Sequence, residues 1–496
     1  MKRPFQVCIL FILTALLVTS AKSALLANNV AISNVTLTGQ DTGNDFTLIQ
    51  FDISWENSWR VSSGPANYDA VWVFAKYRVG GGAWNHVWLN EDGVGHTEPT
   101  GSDIDIGLED DGSAFNATTN PGLGAFIYRE ADGSGTFALT GVQLRWNYGA
   151  NGLADSDGVD LKLFAIEMVY IPEGAFWVGT GGTETNSFTD GEWTAGNTVP
   201  LQITSENALT IAQNDDDLWA TGGISAAALP AAYPKGFNDI YSMKYEISQQ
   251  GYTDFLNSLD ATQATARYPT AFGSNRYSIS SSGGVYSTSA PYLAVNFISW
   301  ADLAAYLDWS GLRPMTELEF RKICRGTIDP FIDELAWGTT TIAPSAYTLS
   351  DANAANEEIA SNYHSGGNAS YSLTDGSQDG PVRVGIFASN VANTGRETSG
   401  ASFYGVMEMS GNLWEIVVLL SNATGLAFDG EHGNGAIDSG GDADVTNWPG
   451  TNATGTSRHG GAWSEASTNL RTAYRNVGVA ATRELTYGGR GVRTAP

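Results

Sequence analysis

Apolar and polar positions alternate with a period of two through most of the chain between residue 24 and about residue 166. The alternation is clearest in segments 46–55, 70–78, 124–129 and 142–146, which are separated by turn residues. Because successive side chains of a strand point to opposite faces of a sheet, each segment predicts a half-buried strand. We therefore expect an all-β sandwich domain over residues 24–166.

The pattern changes beyond residue 166, where two helices carry clear start signals. Ser299 is followed by Asp302, and Thr316 is followed by Glu319. Each pair predicts a capping box, in which a hydroxyl and an acid satisfy free backbone N–H groups at the start of a helix. A third helix is predicted over residues 251–259. Helices should be few in this part of the chain.

Long irregular stretches separate these elements. Residues 326–400 and 421–457 are rich in Gly, Asn, Asp and Ser and lack periodicity, which is typical of loops that carry function or need an ion to order them. Alternation returns over residues 458–493 and predicts closing strands. No flexible linker divides the chain near residue 166, so we expect its two parts to pack rigidly together.

The charge balance narrows the range of partners. The 496 residues include 25 basic and 53 acidic side chains, which gives a formal net charge of −28. Such a surface repels the phosphate backbone of nucleic acid and anionic membranes. We expect no nucleic acid partner. No later apolar run is long enough to predict a membrane span.

Residues 1–23 have the three parts of a secretory signal peptide: a basic start, an apolar run over residues 7–18 and a small-residue cleavage site. Cleavage would remove Cys8 and leave Cys324 as the one cysteine, so no intramolecular disulfide could form. We expect a mature protein that is secreted to the extracellular space or the periplasm. A large exported chain without disulfides is more typical of bacteria than of animals.

One short run, residues 404–415, brings together the oxygen-bearing side chains of Glu408, Asn412 and Glu415. Such a cluster either forms a polar network that holds a loop or binds a hard cation such as calcium, which takes six to eight oxygen ligands. Trp414 lies beside these side chains and is large enough to anchor a core.

Five motifs, in order along the chain, resemble the formylglycine-generating enzyme or sulfatase-modifying factor family. They are Met-Val-Tyr-Ile-Pro-Glu-Gly at 168–174, Arg-Pro-Met-Thr-Glu-Leu-Glu-Phe at 313–320, the run at 404–415, Gly-Gly-Ala-Trp at 460–463, and Gly-Val-Arg at 491–493 in place of the family's Gly-Phe-Arg. The resemblance implies an α+β, loop-rich, C-type-lectin-like domain. The predicted organisation is thus a signal peptide over 1–23, a β-sandwich over 24–166 and this domain over 167–496.

The chain differs from that family at the positions of the two cysteines that carry out its catalytic chemistry. The enzymes use two cysteines after the Gly-Gly-Ser-Trp motif to bind copper, and the matching positions here hold Glu465 and Leu470. Neither side chain can bind copper(I) as a soft thiolate does. Cys324 falls on a predicted helix, where we expect a buried and inert thiol. The sequence therefore predicts no copper and no catalytic residues.

The calcium ligands of the family match residues of this chain more closely than its copper-binding cysteines do. For the second site, the resemblance implies ligands from a single turn: Glu408, Gly411, Leu413 and Glu415. For the first site, it implies Asn362, Tyr363, Asp375 and Ser377, with Asp379 as an alternative to Asp375. Structural calcium is therefore the expected cofactor, although both sets of residues could instead be hydrogen-bonded turns.

These features favour a secreted, non-catalytic member of the family that is stabilised by calcium. It would bind a protein or glycan at the cell surface, or another copy of itself, through a groove around Trp463, Glu465 and Arg475. Two alternatives stay open. One is an enzyme of the same superfamily that uses Glu465 as an acid or base in oxidation or hydrolysis, which would need a second carboxylate or a metal beside it. The other is a diversified lectin-fold protein that binds variable ligands.

Overall fold

The structure is a computed structural model and describes residues 29–191, 198–478 and 480–496. The predicted signal peptide over residues 1–23 lies outside this described part. Within it, no helix is long and apolar enough to cross a membrane.

Eight strands, several of them long, form the N-terminal part of the structure. They are β1 (Ala31–Asp41), β2 (Phe46–Arg60), β3 (Asp69–Val79), β4 (Asn85–His86), β5 (Ser102–Leu108), β6 (Gly122–Arg129), β7 (Gly133–Trp146) and β8 (Val159–Ile171). The four segments singled out by their alternation lie in β2, β3, β6 and β7, so those strand predictions are confirmed.

The rest of the chain has short strands, short helices and long loops. Its strands are β9 (Phe176–Val178), β10 (Phe188–Thr189), β11 (Leu201–Ile203), β12 (Leu209–Thr210), β13 (Trp219–Ala220), β14 (Ala228–Leu229), β15 (Ile240–Met243), β16 (Ser280–Ser282), β17 (Val285–Ser287), β18 (Thr348–Ser350), β19 (Glu358–Ser361), β20 (Trp414–Val418), β21 (Thr456–His459), β22 (Tyr487–Gly488) and β23 (Val492–Thr494). Its helices are α1 (Gln249–Leu256), α2 (Ala261–Arg267), α3 (Trp300–Trp309), α4 (Glu317–Arg325), α5 (Arg396–Ser399) and α6 (Ala423–Leu426). The predicted loop-rich α+β character of this part is confirmed.

One large sheet joins the two parts of the chain. Its strand order is β23-β15-β8-β3-β6-β5, with β4 paired to β3. Strand β8 is antiparallel to β3 on one side and to β15 on the other. The predicted domain boundary at residue 166 therefore falls inside a strand in the middle of a sheet. The N-terminal region is not an independent unit beside the second region, because the two share this sheet.

The shared sheet is the middle layer of three. On one face, Val71 and Val73 of β3 share a core with Ile49, Phe51 and Ile53 of β2, which belongs to a three-stranded sheet of order β1-β2-β7. On the other face, the next residues along β3 pack into the core of the loop-rich region. This period of two explains why β3 is buried along most of its length.

Polar groups of the N-terminal region also contact the loop-rich region directly. The indole N–H of Trp72 donates to the Ser310 carbonyl oxygen at 2.9 Å, and the Asn67 amide donates to that of Tyr404 at 2.7 Å. The buried ammonium of Lys76 donates to the carbonyl oxygen of Trp309 at 2.7 Å. These buried hydrogen bonds fix the relative position of the two regions, as the absence of a linker predicted.

The helix start signals are confirmed. Capping boxes are present at the first residues of α3 and α4, from Ser299 with Asp302 and from Thr316 with Glu319. The helix predicted over 251–259 is α1, which begins two residues earlier and ends three residues earlier. Helix α2 was not predicted, although Asp260 and Gln263 form a capping box at its start.

The prediction of closing strands over residues 458–493 is wrong for most of that segment. It contains the end of β21, a 3₁₀ turn over Ser467–Leu470, β22 and β23, joined by irregular chain. Arg475 and Arg490 of this segment are buried and pair with Glu317 and Glu415. Much of the segment is thus held by side-chain ion pairs, which an alternating pattern does not distinguish from strand pairing.

Candidate functional site

The turn before β20 has an unusual backbone. Glu408 and Asn412 have φ of 55° and 63°, and Gly411 has φ of 96°. A Cβ atom on Gly411 would lie 2.5 Å from the Ser370 carbonyl oxygen, so no larger residue fits there. Left-handed conformations at non-glycine residues persist where surrounding contacts enforce them. The turn is thus held in one defined shape.

Glu415 lies in β20 and forms a fully buried ion pair with Arg490. The guanidinium Nε and Nη2 atoms lie 2.7 and 2.6 Å from the same carboxylate oxygen, Oε1 of Glu415. Arg490 also donates to the carbonyl oxygens of Met243, Lys244 and Met407. The second carboxylate oxygen of Glu415 is buried and has no hydrogen-bond partner among the described residues.

Glu408 lies close to this pair and is also buried. Its Oε1 atom accepts a hydrogen bond of 2.9 Å from the Gly385 backbone N–H, while its Oε2 atom has no partner in the described part of the chain. Burial raises the pKa of Glu408 to about 7, against the opposing influence of Arg490. The predicted ligand is therefore a carboxyl that is costly to ionise unless a cation approaches it.

A third carboxylate, Glu246, was not predicted. It follows β15 and accepts hydrogen bonds from the Leu413 backbone N–H at 2.9 Å and from the Asn412 side-chain amide. Burial, together with the negative charge of Glu415, raises the pKa of Glu246 well above its usual range. An acid between the apolar residues Tyr245 and Ile247, just after β15, was the signal that could have identified it.

Of these three carboxylates, Glu415 alone forms an ion pair with a cation among the described residues. Arg490 lowers the pKa of Glu246, Glu408 and Glu415 alike. Arg383 also acts on Glu408, but its guanidinium donates to backbone carbonyl oxygens and to a serine hydroxyl. When all three acids are ionised, the cluster has two more negative charges than Arg490 supplies. Protonation or a bound divalent cation could offset them.

The arrangement fits a calcium ion only in part. The orphan oxygens of Glu408 and Glu415 are suitable ligands, and calcium tolerates irregular geometry. However, no group of three or more His, Cys, Asp or Glu side chains within the described residues is placed to hold a metal ion. A cation here would need backbone carbonyls as well, and those of Gly411 and Leu413 lie in the same turn.

The residues predicted for the first calcium site flank the segment 346–347. The Asn362 amide donates to the Ala346 carbonyl oxygen at 2.6 Å, and the Tyr363 hydroxyl donates to two carbonyls further along the chain. Asp375 is buried and accepts from the backbone N–H of Asp379 at 3.1 Å. Ser377 and Asp379 are exposed. The side chains of Asn362 and Asp375 thus serve local turns.

The predicted groove residues are not all on the surface. Trp463 is buried, with its indole N–H 3.3 Å from the Leu485 carbonyl oxygen. Glu465 is partly exposed and accepts from the Trp414 indole at 3.3 Å and from the Asn469 amide at 2.8 Å. Arg475 is 1% exposed and forms a two-pronged ion pair with Glu317, with distances of 2.7 and 2.9 Å. Arg475 therefore cannot line a groove with Glu465.

The two positions predicted to correspond to the copper cysteines have different environments. Glu465 lies near Arg458 and Tyr474, whose pKa values respond to its charge. Leu470 is fully buried in a cluster with Leu335, Trp337 and Tyr371. Cys324 is buried in another cluster, and burial raises the pKa of its thiol to about 12. None of these positions offers a thiolate near neutral pH.

Comparison with known proteins assigns the family. A family model for the sulfatase-modifying factor enzyme 1-like domain matches residues 162–495. The chain belongs to this family, and the resemblance seen in its five motifs is confirmed. The match begins inside β8, the strand that joins the two regions. A search of curated proteins found no match.

Several solved structures show a weak similarity. PvdO from Pseudomonas aeruginosa is 17% identical, with a TM-score of 0.31, over 66% of this chain and 95% of PvdO. Treponema denticola variable protein 1 is 13% identical, with a TM-score of 0.31, over 67% and 96% of the two chains. For a Major Tropism Determinant U1 variant the identity is 16% and the TM-score 0.24, over 67% and 64%. The family assignment rests on the sequence match.

Proposed function

We propose that this protein is a secreted, non-catalytic member of the sulfatase-modifying factor family that acts as a binding or structural protein at the cell surface or in the extracellular or periplasmic space. The residues at the positions of the two copper cysteines carry this proposal. Glu465 is engaged by Trp414 and Asn469, and Leu470 is part of a buried apolar cluster. Neither can supply a soft copper ligand or a redox-active thiol.

A peptide assay tests this proposal. The purified mature protein is incubated with copper and a Cys-x-Pro-x-Arg peptide, and the peptide mass is followed. We expect no conversion of the cysteine to an aldehyde. A variant carrying Glu465→Cys and Leu470→Cys has a thiol at both positions. It is the matched comparison for the loss of the thiol pair. Turnover by the unmodified protein would contradict the proposal.

We further propose that calcium stabilises the turn that contains Glu408 and Glu415. The excess of buried carboxylates over bonded cations supports this, because calcium carries two positive charges and the acids have two in excess of Arg490. A bound ion would also give the orphan oxygens of both glutamates a partner. Calcium at the first predicted site has weaker support, since Asp375 already accepts backbone hydrogen bonds.

The partner would be a protein, a glycan or another copy of the chain. It would contact the surface around Glu465, whose rim includes the partly exposed Arg458 and Tyr474. The net charge of −28 favours neutral or basic partners. The enzyme alternative requires a second acid or a metal beside Glu465. The neighbours of this carboxylate include an indole, an amide, a guanidinium and a phenol.

A further inference from the structure

A small cavity lies between the shared sheet and helices α1 and α3. Its volume is about 60 Å³, and its walls come from β3, β8, the segment after β15, and the two helices. Five aromatic side chains line it: Phe74, Phe164, Tyr245, Tyr306 and Trp309. Phe164, Gly251 and Asp254 are the partly exposed members of its lining and mark the opening to solvent.

The polar lining of this cavity is acidic. Glu167, Glu246 and Asp254 line it, and no lysine or arginine does so. Glu167 pairs with Lys244 at 3.3 Å. Asp254, at the opening, accepts a hydrogen bond of 2.9 Å from the Gln250 amide. Burial raises the pKa of Asp254 to about 6, so this carboxyl is ionised at pH 7.5.

The nearest opposing charge to Asp254 is engaged elsewhere. The Lys162 ammonium acts on Asp254 electrostatically, but it donates to the Asn257 carbonyl oxygen at 3.2 Å and lies 4.5 Å from the Trp84 ring centroid. The structure therefore presents an acidic opening above an aromatic interior. No lysine or arginine lines the cavity, although the Lys76 ammonium lies behind its wall, 5.3 Å from the Trp309 ring centroid and 5.8 Å from that of Phe74. Aromatic faces and carboxylates together favour cations, above all those whose alkyl groups reduce the cost of losing water.

One uncharged donor on the wall of the cavity is also without a partner. Trp309 is 4% exposed, and its indole N–H has no acceptor within the described residues. A buried donor without a partner costs about 1–3 kcal/mol. An oxygen atom on a ligand would satisfy it, so the ligand should carry an acceptor as well as a positive charge.

We propose that this cavity binds a small organic cation, an alkylated ammonium that carries a hydroxyl or ether oxygen. The cavity is too small to enclose the whole cation, so the aromatic rings contact part of its alkyl groups, Asp254 offsets the charge at the opening, and Trp309 donates to the oxygen. This site is separate from the surface around Glu465 and does not depend on the proposed non-catalytic role, although Glu246 of its lining also belongs to the carboxylate cluster beside the turn. Pockets of this kind, apolar with a few convergent polar groups, are typical ligand sites.

Choline and its neutral carbon analogue 3,3-dimethyl-1-butanol test the proposal, because they have the same shape and differ in charge. Calorimetric titration of the full mature protein should show choline binding at millimolar concentration and about tenfold weaker binding of the alcohol, where tenfold corresponds to about 1.4 kcal/mol. Asp254→Asn should weaken choline binding about tenfold. Asp215→Asn, an exposed change of the same charge, should leave it unchanged.

Phe164→Ala provides a second variant if Asp254→Asn unfolds, since Phe164 is partly exposed and forms one wall. It should weaken choline binding while the far-ultraviolet circular dichroism stays that of the unmodified protein. Absence of choline binding to the unmodified protein would overturn the proposal. Equal affinity for choline and the alcohol would also overturn it, because the cavity would then select shape without charge.

Discussion

Two buried acidic clusters of the loop-rich region, one around Glu317 and one around Glu415, differ in how their charges are balanced. In the first, Glu317 has both carboxylate oxygens bonded by Arg475, and one of them also accepts from the Leu420 backbone N–H. Burial would raise its pKa, but the charge of Arg475 and the hydrogen bonds from His459 and Arg475 outweigh burial and lower it. This acid is fully satisfied by the protein itself.

In the second cluster, three acids share Arg490. Burial raises the pKa of Glu246, Glu408 and Glu415, and two carboxylate oxygens have no partner among the described residues. Both clusters are equally buried, so burial alone does not explain the difference. The difference arises from the number of cations per carboxylate. A balanced cluster holds the fold, whereas an unbalanced cluster needs protons or an added cation.

Loss of the balanced pair should have the largest effect. Glu317→Gln leaves Arg475 buried without a counter-charge and should lower the free energy of unfolding by about 3–5 kcal/mol, measured by urea denaturation. Asp333→Asn is the control, since it breaks the partly exposed 2.8 Å ion pair with Arg471 and should cost less than about 1 kcal/mol. Similar losses in the two variants would show that the buried cluster has no special role.

The unbalanced cluster should make the folded protein less stable as the pH rises. In the absence of divalent cations, the raised pKa of Glu408, about 7 against an ordinary 4.5, gives stability that is present below pH 4.5 and is lost as the pH rises through 7. Glu408→Gln removes this dependence. The stability of the variant relative to the unmodified protein should therefore increase by about 2.5 kcal/mol between pH 5 and pH 8, since one pKa unit is worth about 1.4 kcal/mol.

Urea denaturation of both proteins at each pH, in the presence of a chelator, measures this difference and cancels contributions from other groups. A difference that stays constant with pH would mean that Glu408 keeps an ordinary pKa in the folded protein. It would also remove the electrostatic case for a cation beside it.

The surface acid should matter least for stability. Glu465→Ala loses a hydrogen bond of 3.3 Å and one of 2.8 Å at a partly exposed site, so the free energy of unfolding should change by about 1 kcal/mol or less. Thermal unfolding checks this. A loss as large as that of Glu317→Gln would show that Glu465 supports the fold and is not available for a partner.

The strands of the N-terminal region could be predicted because each one buries alternate residues against a facing sheet. What the pattern could not show is that β8 pairs with β3 on one side and with β15 on the other, because this pairing joins residues that are far apart in the sequence. The short strands β10 to β14 were missed because two or three residues carry no period.

For the site, sequence motifs located the turn with Glu408 and Glu415, but not the charges that surround it. Arg490 is 75 residues from Glu415 in the chain. Glu246 reaches the turn from the segment that follows β15. Arg475 was expected in the groove because it lies near Trp463 in sequence, but its pairing with Glu317 is a long-range contact that periodicity does not reveal.

The calcium content of the purified mature protein, combined with its unfolding temperature before and after addition of a chelator at pH 8, tests the central claim most directly. If a cation completes the cluster of Glu246, Glu408 and Glu415, the protein should retain at least one calcium ion per chain. The chelator should then lower the unfolding temperature by more than about one degree, since a ligand at 100 times its Kd stabilises by about 2.7 kcal/mol. A protein without bound calcium whose unfolding temperature does not change would contradict the claim.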